Sequence, residues 1–151
     1  MKILTISGSL QARSSNTALV RAAQRVAPKG IDLVVYDSLG DVPLLNPDLD
    51  GEGDAAPAPV RKLRTAFAAA DGILLASPEY GHSVPGLLKN ALDWLVASGE
   101  LSGMRVGLIS ASPTMGRRHW GADGAYSDVD GSGGARVGLA HGARGEGKAR
   151  H

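Results

Sequence analysis

The chain has 151 residues, of which 43% are hydrophobic, and a formal net charge of +1, enough for one globular domain with its own core. The near-balanced charge excludes the clustered basic face that nucleic-acid binding needs, and the absence of cysteine excludes disulfides, thiolate catalysis and Cys-based metal sites. No apolar run approaches the roughly 18 residues of a membrane span, and Met1 to Ile6 lacks the longer apolar region of a signal peptide, so a soluble cytoplasmic protein is expected.

Lys2 to Ser7 is apolar, partly β-branched and closed by Gly8, the pattern of a buried parallel strand. Gly8 to Asn16 (GSLQARSSN) is a loop that opens a helix, in which Ala18, Leu19, Ala22, Ala23 and Val26 recur at helical spacing. Ser14 or Ser15 is placed to cap that helix, and Pro28-Lys29-Gly30 to stop it. Ile31 to Tyr36 reads as a second strand. Asp37 to Pro57 is a long polar connection rich in Pro, Gly and Asp. Its acidic residues Asp48, Asp50, Glu52 and Asp54 look like the start of a calcium loop, but Pro59 stands at the twelfth position, where a bidentate Glu is required. A solvated acidic loop is therefore expected.

Val60, Leu63, Ala66, Phe67 and Ala70 mark a second helix, and Gly72 to Ala76 a third strand. The chain then turns through Ser77-Pro78-Glu79-Tyr80-Gly81 into a third helix. Pro85 lies near its start, where a missing N–H costs little. Leu87, Leu88, Ala91, Leu92 and Leu95 form the buried face of this helix, and Lys89, Asn90 and Asp93 its polar face. Asp93 and Trp94 are assigned to packing or a subunit contact. Arg105 to Ser110 is the fourth strand. Alternation of strand and helix implies a parallel sheet with helices on both faces, an α/β fold.

The periodicity stops after about Thr114. Gly, Arg, Ala and His dominate from Met115 to His151, and Ala135 to Ala140 (ARVGLA) offers only a short edge strand broken by Gly138. Residues 1–114 are thus read as the folded domain, and 115–151 as an atypical Gly/Arg-rich tail, disordered or out of frame. The four histidines, His82, His119, His141 and His151, form no spaced ligand set, so no metal is expected.

Two loops carry chemistry. The first, Gly8 to Asn16, leaves the carboxyl end of a strand and opens a helix, whose N-terminus attracts anions through unpaired N–H groups and a partial positive charge. Ser9, Ser14, Ser15 and Asn16 add short hydrogen-bonding side chains and Arg13 a cation. The loop lacks both the G-x-G-x-x-G and the Gly-Lys-Ser/Thr spacings, so a phosphomonoester suits it better than a pyrophosphate or a magnesium nucleotide. The bland alternative is an ordinary capped strand-to-helix loop. The second loop, Ser77 to Gly81, offers a rigid turn, backbone amides and the Tyr80 ring at the end of the third strand, parts that suit a flat, polar-edged anionic cofactor such as a flavin. For Tyr80 the alternative is a core aromatic. His82, at the rim, reads as a solvated loop residue.

Ser77-Pro78-Glu79-Tyr80 followed by Ser83-Val84-Pro85-Gly86-Leu87-Leu88-Lys89-Asn90-Ala91-Leu92-Asp93-Trp94 resembles the signature of the NADPH-dependent FMN reductase family, which includes quinone, chromate and azo-compound reductases. Gly8, Ser9, Leu10, Ser14 and Asn16 also match; Gln11 stands where the family has Arg, and Arg13 is expected to supply that charge. The resemblance covers roughly residues 1 to 114. It implies a flavodoxin-like doubly wound sheet of order 2-1-3-4-5, with the last helix and fifth strand missing or corrupted here. It implies FMN, held at its phosphate by Ser9, Gln11, Arg13, Ser14, Ser15 and Asn16, along its ring by Pro78, Glu79, Tyr80 and Gly81, and on the far side by Ser112. It further implies hydride transfer from NADPH or NADH through the flavin to a quinone, free flavin or similar small acceptor, with no catalytic side chain, in a homodimer or homotetramer. Two other readings stay open: a flavodoxin-type electron carrier, disfavoured by near-neutral charge and only 4% aromatic residues, and an inactive product of a disrupted reductase gene.

Overall fold

The computed structural model describes residues 1–50, 55–80, 83–96 and 98–111 in full and residues 135–141 as backbone. In chain order the elements are β1 (Lys2–Ser7), α1 (Ser15–Arg25), β2 (Asp32–Tyr36), α2 (Ala58–Ala68), β3 (Gly72–Ala76), α3 (Gly86–Val96), β4 (Arg105–Ala111) and β5 (Ala135–His141). Single turns of 3-10 helix, Leu39–Asp41 and Pro47–Leu49, interrupt the polar connection after β2.

Strands β2, β1, β3 and β4 lie side by side and run parallel, with Leu4 opposite both Val34 and Ile73, and Ile73 opposite Val106. This is the order expected. β5 takes the outer place beyond β4 but runs antiparallel to it, with Leu108 opposite Gly138. The direction differs from that of an all-parallel sheet. A parallel return requires a long crossover, usually a helix, and the sequence after Thr114 has no amphipathic helical period to make one. The rest of the expected tail lies outside the described residues.

Among the described residues the two sides of the sheet are covered unequally. Leu4, Ile6, Ile73 and Leu75 pack with Val60, Leu63 and Phe67 of α2 and with Leu88, Ala91, Trp94 and Leu95 of α3. Burial of such side chains contributes about 1.5–3 kcal/mol each. On the opposite side a smaller cluster of Val20, Ala76 and Ile109 is flanked by half-buried Leu19, Val35 and Leu74. Of the two candidate caps, Ser14 is the residue used: its backbone is extended and its Oγ accepts from the Thr17 N–H at 3.3 Å. Gly30, in the turn into β2, has φ of 87°, a conformation that favours glycine.

Two expectations are corrected. Asn90, read as part of the polar face of its helix, is 8% exposed. Its Nδ2 donates to the Pro43 carbonyl at 2.8 Å and its Oδ1 accepts from the Leu45 N–H at 2.8 Å. A helix covered by a loop as well as by a sheet buries more than its apolar stripe. Asp50, read as part of a solvated acidic loop, is half-buried and pairs with Arg64 at 2.8 Å; Arg64 also donates to the Trp94 carbonyl at 2.8 Å. Trp94 itself is fully buried, so packing is its role within the chain.

Candidate functional site

In an open sheet of this order the chain leaves β1 towards β2 and later returns to β3 on the other side. The crevice outside the carboxyl ends of these two strands is where such folds bind ligands. Both sequence motifs arrive there. The Gly8 N–H donates to the Ala76 carbonyl at 2.8 Å, joining the two loops at their roots. A Cβ on Gly8 would stand 3.4 Å from both Leu88 Cδ2 and Pro85 Cγ, so the first loop lies against the start of α3 with room for a methyl group and no more. The Ser77 N–H donates to the Ile109 carbonyl at 2.9 Å, which brings the end of β4 to the same edge.

The first loop is folded on itself by short-range bonds. The Ser9 N–H donates to Ser7 Oγ at 3.4 Å and the Gln11 N–H to Ser9 Oγ at 3.3 Å. The Ser14 N–H donates to the Gln11 carbonyl at 3.1 Å, and Ser7 Oγ and Thr17 Oγ1 share a hydrogen bond of 2.9 Å. Gln11, Arg13 and Ser15 are exposed, Ser9 is half-buried, and Ser14 and Asn16 are buried. The N–H groups of Arg13, Ser15 and Asn16 have no acceptor among the described residues. Unpaired amides at a helix N-terminus, with the Arg13 guanidinium beside them in sequence, fit a phosphate dianion. A cavity of about 480 Å³ runs from this loop along α1, lined in part by Arg13, Ser14, Ser15, Arg21 and Arg25.

Two of the expected phosphate ligands point elsewhere. Ser14 Oγ caps its own helix, which leaves only its O–H proton free. Asn16 directs its side-chain amide at the end of β4: Nδ2 donates to the Ala111 carbonyl at 3.1 Å and Oδ1 accepts from the Ala111 N–H at 2.9 Å.

In the second loop Pro78 is buried, Glu79 half-buried and Tyr80 55% exposed, so Tyr80 is not a core aromatic. Ser77 Oγ donates to the Pro78 carbonyl at 3.0 Å. Tyr80 and Ser83 exchange two backbone hydrogen bonds of 3.1 Å, which closes a tight loop with the Tyr80 side chain at the surface. Gly81, His82 and Ser112 lie outside the described residues.

Tyr36, at the carboxyl end of β2, carries the perturbed titration among the described residues. Burial pushes its phenol above its ordinary value, and the carboxylates of Asp41 and Asp37 push the same way. Its hydroxyl is buried with no partner among the described residues. No group of three His, Cys, Asp or Glu that could hold a metal occurs among the described residues, and no described helix is long and apolar enough to cross a membrane.

Comparison with known proteins follows the same lines. The family model of NADPH-dependent FMN reductases matches residues 1–123. The chain belongs to this family. Over 96 residues it is 45% identical to a probable NADPH:quinone oxidoreductase of Oryza sativa, covering 62% of this chain and 47% of that one. Over 114 residues it is 39% identical to an NAD(P)H-dependent FMN reductase of Pseudomonas aeruginosa, covering 74% and 60%. A solved flavoenzyme NAD(P)H:(acceptor) oxidoreductase from Paracoccus denitrificans superposes with a TM-score of 0.68 at 30% identity, covering 76% of this chain and 62% of that chain. The family member described here thus spans about half to three-fifths of the length of these two curated relatives.

Proposed function

We propose that the protein is an FMN-dependent reductase that takes a hydride from NADPH or NADH and passes electrons to a small acceptor such as a quinone or a free flavin. The observation that carries this reading is the convergence of the two motif loops at the switch point, with Gly8 bonded to Ala76 and set against Pro85 and Leu88. Relatives named as quinone and FMN reductases support it. When bound, the flavin supplies the redox chemistry, and the protein orients it and excludes water.

The chain's own residues divide the work by position. Arg13, the unpaired amides of Ser15 and Asn16, and the side chains of Ser9 and Ser15 hold the phosphate; Gln11 sits on the exposed outer side of that loop. Pro78, Glu79, Tyr80 and Gly81 line the ring, and amide donors of this turn, other than Pro78, which has no N–H, and Tyr80, whose N–H is given to Ser83, stabilise negative charge that develops on reduction. Ser112 closes the far wall. The flavin-binding unit is residues 1–114, a cytoplasmic location is assigned, and the active form is a homodimer or homotetramer.

The purified protein should carry a flavin absorption spectrum that NAD(P)H bleaches and an added quinone restores, with parallel double-reciprocal lines, since one flat pocket serves donor and acceptor in turn. Arg13→Ala should weaken FMN about tenfold and leave riboflavin, which lacks the phosphate, unchanged; charge-assisted bonds are worth roughly 1.5–3 kcal/mol. A protein that binds flavin but is never bleached would be an electron carrier. Equal losses for FMN and riboflavin on Arg13→Ala would move the phosphate away from this loop.

A further inference from the structure

We infer that the Asn16 side chain is a positioning group that locks the first loop to the end of β4, rather than a ligand of the phosphate. The inference rests on the flavin reading above and changes the task of one residue within it.

The sheet explains why an amide is needed at this position. In a parallel ladder every second residue of a strand donates to the residue before its partner on the neighbouring strand and accepts from the residue after it. With Ala76 opposite Ile109, Ser77 stands opposite Ser110 and donates its N–H to the Ile109 carbonyl. The next rung would join the Ala111 N–H to the Ser77 carbonyl. That rung is not made, because β3 ends at Ala76 and turns away through Pro78. The Ala111 N–H and carbonyl are left facing the gap, and the Asn16 side chain meets both, at 2.9 and 3.1 Å. A carboxamide is the smallest side chain that reproduces both halves of a peptide group. Asn16 therefore substitutes for the strand that has departed.

The lock is 3% exposed and spans 95 positions of sequence. It ties the helix start that offers amides to an anion to Ala111, the last residue of β4. Asn16 Oδ1 can only accept, and one Nδ2 proton is committed to Ala111, so the side chain has at most one free donor to offer an anion. Loss of the lock frees the end of β4 and loosens the ring side and the phosphate side of the crevice together. A phosphate ligand would affect one side only.

The test is flavin binding by the full chain carrying Asn16→Ala, with FMN and riboflavin titrated separately and amide exchange followed over 105–111. Two ordinary hydrogen bonds are removed, so both flavins should weaken by about tenfold, with their affinity ratio unchanged, and the Ala111 N–H should exchange about tenfold faster or more. Loss of FMN binding alone, with Ala111 still protected, would overturn the inference. Asn16→Asp provides a second arm should the alanine variant unfold. Its carboxylate accepts from the Ala111 N–H but opposes the Ala111 carbonyl, whereas its protonated form donates to that carbonyl. Riboflavin affinity of this variant should recover as the pH falls through the titration of the new carboxyl, and a flat profile would count against the lock. A wild-type protein that bound neither flavin would refute the flavin reading on its own, and the exchange of Ala111 in the two forms would still decide whether Asn16 holds it.

Discussion

The loop over α3 hangs on one carbonyl, and a double-mutant cycle can measure how. Pro43 O accepts from Asn90 Nδ2 and from Trp94 Nε1, both at 2.8 Å. Asn90 also accepts from the Leu45 N–H at 2.8 Å. Asn90→Ala removes two hydrogen bonds, and at about 0.5–1.5 kcal/mol net for each the expected cost is about 1–3 kcal/mol. Trp94→Phe removes one bond and leaves a small cavity in a fully buried site, for a further cost of about 1–3 kcal/mol. In either single variant the Pro43 carbonyl keeps one donor. Only the double variant leaves it with none, and an unpaired carbonyl away from water costs about 1–3 kcal/mol. The double variant should therefore be less stable than the sum of the singles by about 0.5–1 kcal/mol, at or below the bottom of that range because Pro43 is half-buried and water can reach it. Urea unfolding followed by far-UV circular dichroism is the assay, since removal of Trp94 changes the fluorescence. With a slope of about 1–3 kcal/mol per molar urea, Asn90→Ala alone should move the midpoint by about 1 M. Costs that add within about 0.3 kcal/mol, or an Asn90→Ala variant as stable as the wild type, would refute the shared-acceptor argument.

Tyr36→Phe should be neutral or stabilising by up to about 1 kcal/mol, because it removes a buried hydroxyl with no partner among the described residues. It should also change the alkaline limit. The folded phenol holds its proton above the ordinary value of 10.0, so wild-type stability falls as the pH rises past that value, where the unfolded phenol ionises first; thermal melts of wild type and variant should move apart with rising alkalinity, the wild type melting lower, and parallel curves would count against the burial. At Gly8 an alanine fits, since 3.4 Å to Leu88 and Pro85 is ordinary contact, whereas Gly8→Val adds methyl groups against the same wall and should cost about 1–3 kcal/mol; flavin retention that survives Gly8→Val in full would separate the close approach of the two loops from the binding site.

Most of the sheet was legible because its strands are short apolar runs between Gly and Pro signals. Lys2–Ser7 and Gly72–Ala76 coincide with the runs read from sequence, and Arg105–Ala111 extends its run by one residue. The presence of the helices follows from their apolar spacing and the cap at Ser14 from the preference of serine for that position, but the face of α1 was misread: Ala18, Ala22 and Val26 are exposed, and the buried apolar residue is Val20. The direction of β5 was not legible, because pairing direction depends on the connection and not on the strand's own residues.

The asparagines show the remaining limit most clearly. Sequence reasoning treats a polar side chain near a ligand-binding loop as a ligand, and one on the polar side of a helix as solvated. Asn16 and Asn90 depart from these rules in the same way. Each is buried, and each gives its Oδ1 to a backbone N–H and its Nδ2 to a backbone carbonyl. Their partners lie 95, 45 and 47 positions away, so no local pattern announces them. The backbone groups involved are left over where a strand or loop ends without a neighbour, and buried polar groups must find partners. An asparagine matches such a leftover peptide group in shape and polarity. The residue that signals the need is therefore not the asparagine but the break itself: Pro78 after β3, and the Pro43 bend above α3. In this fold the crevice is opened by ending β3 early, and Asn16 closes the hydrogen-bond deficit that the opening creates.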